Sequence, residues 1–205
     1  MEQESKKSLH LNYKNTNANI AIIGAGASGC ICAYLLQKEG FDVTLFDKGM
    51  TLRTLLPTGG GRCNLAHAEY DFKDLAKNYP RGEKFLYSVF SKFSTYDTLA
   101  LFEEFGVETY TQEDERIFPT SNSAKDVREK ILNNLKNVQI QKEEVIKIEK
   151  IDSGFKILST PNYSKNKKMC EYLFSHVIIA IGGHSNFDFL KNFEIKIIPP
   201  RPSLV

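Results

Sequence analysis

Short apolar runs and amphipathic stretches set the outline of the chain. Ile20-Ala21-Ile22-Ile23 is continuously apolar rather than alternating, as in a strand buried on both faces. A glycine turn leads from it into a helix near residues 27–39, where Ile31, Leu35 and Leu36 recur at helical spacing and Gly40 supplies a stop. Phe41–Phe46 returns as a second strand, ending at Asp47. A strand, a helix and a strand of this size predict parallel pairing with a right-handed crossover.

Residues 48–70 read largely as loop, and a loop that long inside a compact domain is usually functional. Helical patterns follow near 71–78, 82–92 and 94–105, the last ending at Gly106. Val107–Thr111 and Ile117–Phe118 read as short strands around a charged turn. Ser123 with Asp126 resembles a capping box, and Val127, Ile131 and Leu135 line one face of the helix it opens. Val138–Ile140 is a candidate third parallel strand. Val145–Ile151, Gly154–Ser159 and Met169–Phe174 suit an antiparallel meander, with Pro161–Lys168 as a hairpin loop. His176–Ile181 is a second buried-type run, closed by Gly182-Gly183.

Composition narrows the class. The chain has 205 residues, 41% hydrophobic and 25% charged, which fits one ordinary globular domain or a domain plus a small attachment. A formal charge of +2 is too near zero to argue for nucleic acid or a membrane surface, so the expected partner is a small-molecule substrate. No apolar run approaches the ~20 residues that cross a bilayer. Residues 1–18 read as a flexible polar leader without a signal-peptide pattern. Cys30, Cys32, Cys63 and Cys170 form no disulfide framework, and a reducing cytoplasm is the expected compartment.

The first candidate site is Gly24-Ala25-Gly26-Ala27-Ser28-Gly29, directly after the first strand. In such a turn Gly24 permits the tight bend, Gly26 lets backbone approach a pyrophosphate, and Gly29 lets helix pack on strand. Free N–H groups at the helix start then face the phosphates. Asp47 follows Gly29 by eighteen positions, where its carboxylate suits a ribose diol and repels a 2′-phosphate. The nucleotide at this turn is therefore not expected to be NADP. The turn alone does not separate FAD from NAD.

Thr58-Gly59-Gly60-Gly61-Arg62-Cys63-Asn64 selects flavin. Three successive glycines remove side chains where a flat ring system can lie against backbone. Arg62 is suited to neutralising charge on reduced flavin or phosphate, and Asn64 can donate and accept. Ala180-Ile181-Gly182-Gly183 offers small residues beside the pyrophosphate or ribityl chain. A meander between the third and fourth parallel strands is the crossover expected of the glutathione-reductase-type FAD-binding fold. The expected class is thus α/β, Rossmann-like.

Gly59–Asn64, Arg116-Ile117-Phe118-Pro119 with Ala124-Lys125-Asp126-Val127, and Ala-Ile-Gly-Gly-His-Ser at 180–185 resemble the BaiN-type (YhiN-like) flavoproteins over roughly residues 19–205. These are bacterial NAD(P)/FAD-dependent oxidoreductases, some of them reductases of enone or dehydro-steroid substrates. The resemblance implies that Gly24, Gly26, Gly29 and Asp47 hold the ADP half of FAD. It puts Gly59–Asn64 beside the isoalloxazine ring and Val145 in backbone contact with adenine. The cofactor set so expected is Gly24, Ala25, Gly26, Ala27, Ser28, Gly29, Asp47, Lys48, Thr58, Gly59, Gly60, Gly61, Arg62, Cys63, Asn64, Val145, Ala180, Gly182 and Gly183. FAD is the expected cofactor, with NAD(P)H as electron donor.

The chain departs from the family pattern after residue 180. Ile181 stands where relatives carry Thr, and only Asn186–Pro200 precedes Arg201-Pro202-Ser203-Leu204-Val205. The expected organisation is an FAD-binding domain over 19–198, incomplete relative to the family, and the start of a connection to an absent substrate domain at 199–205. Cys63 has no second cysteine at dithiol spacing, and His67, His176 and His184 share no metal-ligand spacing. Lys165, Lys167 and Lys168 read as a solvated hairpin tip, and the aromatic residues as core. No catalytic side chain stands out. The leading function is an NAD(P)H-linked flavin reductase of a small organic acceptor. The alternatives are a catalytically incompetent FAD- or nucleotide-binding remnant or interaction domain, and an FAD-dependent RNA-modifying enzyme, which the near-neutral charge disfavours.

Overall fold

The computed structural model describes residues 18–162, 169–183 and 187–198. Leader residues 1–17, the Lys165–Lys168 tip, His184 and the segment 199–205 lie outside them. The chain runs through β1 (Asn19–Ile23), α1 (Ala27–Lys38), β2 (Asp42–Phe46), β3 (Ala66–His67), α2 (Phe72–Lys77), α3 (Glu83–Phe90) and α4 (Thr95–Glu104). It continues through β4 (Thr109–Thr111), β5 (Arg116–Pro119), α5 (Ala124–Asn133), β6 (Gln139–Gln141), β7 (Glu143–Ile151), β8 (Gly154–Pro161), β9 (Cys170–Phe174) and β10 (His176–Ile179).

The central sheet is parallel with the order β10-β1-β2-β6, pairing Ile23 with Ile179 on one side and with Phe46 on the other. The two central strands, β1 and β2, are almost wholly buried because both their faces are covered, whereas β10 and β6 form the edges. Ile20, Ile22, Val43 and Leu45 face a core built with Cys30 and Tyr34 of α1, Leu101 of α4, and Val127 and Ile131 of α5. Ala21, Ile23 and Phe46 face the other way, onto Ile148, Ile157 and Phe174 of the antiparallel meander β7-β8-β9. The order helices, parallel sheet, meander brings the carboxyl ends of β1, β2 and β10 to one edge, where such folds bind ligands. A small antiparallel sheet, β3-β5-β4, sits between α1 and α5 in the chain.

Three expectations are corrected. The run 176–181 is shorter as a strand and half-exposed, since β10 lies at the edge of the sheet and Ile179 is 38% accessible. The aromatics are not all core: α3 buries none of its residues, and Phe85 and Tyr96 are 73% and 64% exposed. At Ser123 only half of the capping box forms, its Oγ accepting the Asp126 N–H at 3.3 Å. The reciprocal box is at Ser94 and Asp97, ahead of α4.

Candidate functional site: a dinucleotide groove at the carboxyl edge of the sheet

The three glycines of the first turn divide the work. Gly24 takes φ +107°, donates its N–H to the Phe46 carbonyl at 2.8 Å, and would drive a Cβ into the Ala180 carbonyl. A Cβ on Gly29 would overlap the Gly24 carbonyl, so this glycine is what lets α1 close on β1. Gly26 differs from both. It precedes α1 with an ordinary φ of −79°, and the nearest atom to a Cβ there is Thr54 Oγ1, 4.0 Å away. Gly24 and Gly29 are glycines because of the chain's own packing; Gly26 leaves a cradle open.

That cradle is part of a groove of about 840 Å³. Gly24, Ala25, Gly26, Ala27 and Ser28 form one side, Ala180, Ile181 and Gly182 an adjoining one. Asp47 and Lys48 line it, and they also line a second cavity of about 300 Å³ with Phe46, Glu143, Val145 and Phe189. Asp47 therefore stands at the junction of two cavities. Its Oδ2 accepts the Ala25 N–H and its Oδ1 the Gly49 N–H, each at 2.7 Å. A carboxylate has about four acceptor sites, so both oxygens keep one for a ligand hydroxyl. Lys48 is tied to Glu144 at 3.0 Å.

The smaller cavity is framed by the start of the meander. The ladder bulges between Val145 and Lys147, and both Val145 and the exposed Ile146 line the cavity. Glu143 is buried beneath it, accepting Ser159 Oγ at 2.5 Å and the Tyr172 hydroxyl at 3.1 Å. Burial and then Glu143 push the Tyr172 hydroxyl up to about 12.

Met50, Arg53 and Thr54 also line the groove, and sequence reading missed all three. They lie in a stretch without periodicity or glycine, and a cation among leucines was their only signal.

The second glycine element has three left-handed residues in a row, Gly59, Gly60 and Gly61. Gly59 is required by internal packing, because a Cβ would lie 2.7 Å from both the Asn64 nitrogen and Phe118 Cε1. Gly60 faces open space. Arg62 lays its guanidinium over the buried Phe118 ring at 4.1 Å and donates Nε–H to the Gly59 carbonyl at 3.2 Å. Thr58 donates its hydroxyl to Leu55. Residues 58–64 line neither cavity. Gly183 has nothing within 4 Å of a Cβ and is exposed.

Cys63 is buried with φ +66°, and burial raises its thiol pKa. Cys30 is pushed up to about 12 by burial, then by Asp47. Burial therefore disfavours the thiolate form of both. Among the described residues no cluster of His, Cys, Asp and Glu could hold a metal, and no helix is long and apolar enough to cross a membrane.

The donor set fits a dinucleotide: an open backbone cradle at a helix start, a carboxylate at the next strand end, and beyond it a cavity lined by Phe46, Val145 and Phe189 together with Glu143 and Glu144. Comparison with known proteins agrees. The "Ribosomal RNA dihydrouridine synthase" of Haemophilus influenzae is 29% identical over 201 residues, covering 90% of this chain and 47% of the relative. The chain thus spans about half the length of that relative. Among solved structures, the Mycobacterium smegmatis Sdh1 complex superposes with a TM-score of 0.61 at 13% identity, over 82% of this chain and 34% of that one. E. coli quinol fumarate reductase FrdA gives 0.59 at 15%, over 82% and 33%. At such identities these show the fold alone. The model of the "HI0933-like protein Rossmann domain" matches residues 18–189, and the chain belongs to that family, a Rossmann-like FAD-binding domain with the meander crossover.

Proposed function

We propose that this chain is the FAD-holding part of an NAD(P)H-linked flavoprotein reductase whose acceptor is a carbon–carbon double bond conjugated to a carbonyl. The observation that carries the reading is Asp47, placed where the phosphate groove meets the smaller cavity and flanked by the open cradle at Gly26. FAD, when bound, supplies the hydride chemistry, and the protein contributes binding, orientation and electrostatics. Gly26, Ala27 and Ser28 would hold the diphosphate, Asp47 the ribose, and the cavity at Val145 the adenine. Gly60, Gly61 and Asn64 would meet the ring. Among the described residues the groove is lined by small and backbone groups with Asp47, Lys48 and Arg53 as its charged side chains, which supports a cofactor cradle.

A double bond of this kind takes hydride at the carbon β to the carbonyl and a proton at the α carbon, with both electrons drawn from NAD(P)H. Small enones contain it, and so does the uracil ring. The name of the Haemophilus relative supports uridine in RNA as an acceptor, against the weight of a formal charge of only +2.

The test is an absorbance spectrum of the purified chain with chromatography of any released cofactor. Anaerobic addition of NADH or NADPH follows, then reoxidation by cyclohexenone or a uridine-containing RNA. FAD that bleaches with pyridine nucleotide and recovers with either acceptor is the expected result. A protein that neither retains nor takes up FAD overturns it.

A further inference from the structure

Residues 70–96 differ in surface character from the rest of the described chain. They hold six exposed aromatic side chains, Tyr70, Tyr79, Phe85, Tyr87, Phe93 and Tyr96. Elsewhere among the described residues the large apolar side chains that reach solvent are aliphatic or methionine. The same stretch carries Lys73, Lys77, Arg81, Lys84 and Lys92 against Asp71, Asp74 and Glu83. Five cations against three acids leave +2, the formal charge of the whole chain, so the rest of the sequence is neutral.

The acids of this stretch are largely engaged. Asp71 caps α2, accepting the Lys73 and Asp74 N–H groups, and Asp74 holds Lys77 at 2.6 Å. Glu83 sits in the first turn of α3, where a helix start favours an anion. Lys73, Arg81, Lys84 and Lys92 have no carboxylate within ion-pair distance among the described residues.

Helix α3 sets rings and cations in register. Phe93 donates its N–H to the Val89 carbonyl at 3.0 Å, which carries the helical turn past Phe90. Positions four apart share a line on a helix surface. Phe85, Val89 and Phe93 thus form one exposed apolar line, and Lys84, Ser88 and Lys92 form a cationic line beside it. Lys84 and Lys92 are separated by about 12 Å along the axis, the rise of about three stacked bases. The half-buried Phe90 meets Tyr79 at 5.5 Å, and Tyr87 meets Phe72 of α2 at 5.1 Å. At the start of α4 the Tyr70 and Tyr96 rings lie 4.5 Å apart. Buried Thr95 fixes their backbone by donating its hydroxyl to the Glu69 carbonyl at 2.7 Å.

Lysine is depleted at the centre of protein–protein interfaces, whereas here it adjoins the rings. Aromatic faces bordered by unpaired cations are the combination that holds a single nucleic-acid strand, the bases stacking while the cations follow the phosphates. Resting on the uridine acceptor of the proposed function for the kind of strand, we propose that the α2–α3 face and the start of α4 form a docking platform for single-stranded RNA. Phe85, Phe93 and Tyr96 stack on bases, and Lys84 and Lys92 meet phosphates. The neutral remainder of the chain leaves this face as the local attraction for a polyanion.

The experiment titrates the intact chain into a short labelled uridine-rich RNA, as a single strand and as a duplex, and follows anisotropy at several salt concentrations. Melting and FAD content are recorded alongside. The parent chain is expected to bind the single strand more tightly than the duplex. Lys84→Glu/Lys92→Glu should weaken the single strand about tenfold or more and flatten its salt dependence. Phe85→Ala/Phe93→Ala should weaken it about ten- to a hundredfold and keep the parent's salt slope. Both variants should melt and hold FAD like the parent, since all four side chains are exposed. Single-strand binding that neither variant changes, equal affinity for the duplex, or no RNA binding by the parent overturns the platform. So does a parent that ignores RNA but binds anionic lipid vesicles or self-associates through Phe85 and Phe93. RNA that binds the platform yet fails to reoxidise reduced flavin overturns the uridine acceptor and leaves the platform standing.

Discussion

Asp47 and Ala25 are joined directly, the carboxylate Oδ2 accepting the Ala25 N–H at 2.7 Å, so the end of β2 and the glycine turn form one unit. The second oxygen accepts the Gly49 N–H at the same distance, which shapes the exit from the strand. The residue expected to hold a ribose is thus also a structural clamp, and its replacement acts before any ligand arrives.

Asp47→Asn tests this. An amide keeps one acceptor oxygen and turns an N–H₂ toward the other backbone donor. The apo-protein should lose about 1–3 kcal/mol, and FAD binding should weaken about tenfold or more. Chemical denaturation of the apo-protein with a parallel FAD titration reads both. Parent-like melting and affinity would remove Asp47 from the site.

The glycine turn permits a sharper separation. Gly24→Ala and Gly29→Ala both drive a methyl group into backbone carbonyls, at Ala180 and Gly24 respectively. Each should cost about 1–3 kcal/mol or more and impair folding. Gly26→Ala meets no protein atom closer than 4.0 Å and keeps an ordinary φ, so the chain should fold and melt normally. It should nevertheless lose most of its FAD. Circular dichroism melts beside flavin retention decide it, and a Gly26→Ala protein with full FAD would show that no phosphate approaches there.

The parts that sequence disclosed have local causes. The run Ile20–Ile23 announces a strand covered on both faces, and the structure covers it with α1 on one side and the meander on the other. Gly24 and Asp47 are legible because a left-handed turn and a strand-end acid follow from residue type and spacing. What stayed hidden depends on distant partners. Arg128 lies 77 positions from the Thr51 carbonyl it fixes, so nothing local marks Arg53 as a groove residue. β10 looked buried because its residues are apolar, but strand order puts it at an edge. In α3 the apolar spacing reveals a face without revealing what covers it.

The triple glycine separates packing from ligand contact in the same way. Gly59→Ala would collide with Asn64 and Phe118 and should destabilise the loop with or without flavin. Gly60→Leu meets open space and pays only for a left-handed backbone, about 1–2 kcal/mol. If the ring lies against Gly60, this variant should stay folded yet fail to retain FAD. Stoichiometric FAD in folded Gly60→Leu would move the ring elsewhere.

Alkaline stability follows from the two groups pushed highest. Cys30 rises from 9.0 to about 12 through burial and then Asp47, and Tyr172 from 10.0 to about 12 through burial and then Glu143. In each the folded state keeps a proton that the unfolded chain releases. The unfolded state binds fewer protons between the two pKa values, so stability falls as pH rises. The contribution is fully present below pH 9 and declines from there to about 12, at up to roughly 1.4 kcal/mol per pH unit for the buried Cys30 and by less for Tyr172, which solvent screens. Cys30→Ala should be less stable at neutral pH through a small cavity and should show a shallower alkaline decline. Denaturant midpoints measured from pH 7 to pH 11 in the parent chain and in Cys30→Ala compare the slopes. Parallel curves would mean that the Cys30 thiol ionises as readily in the folded core as in water.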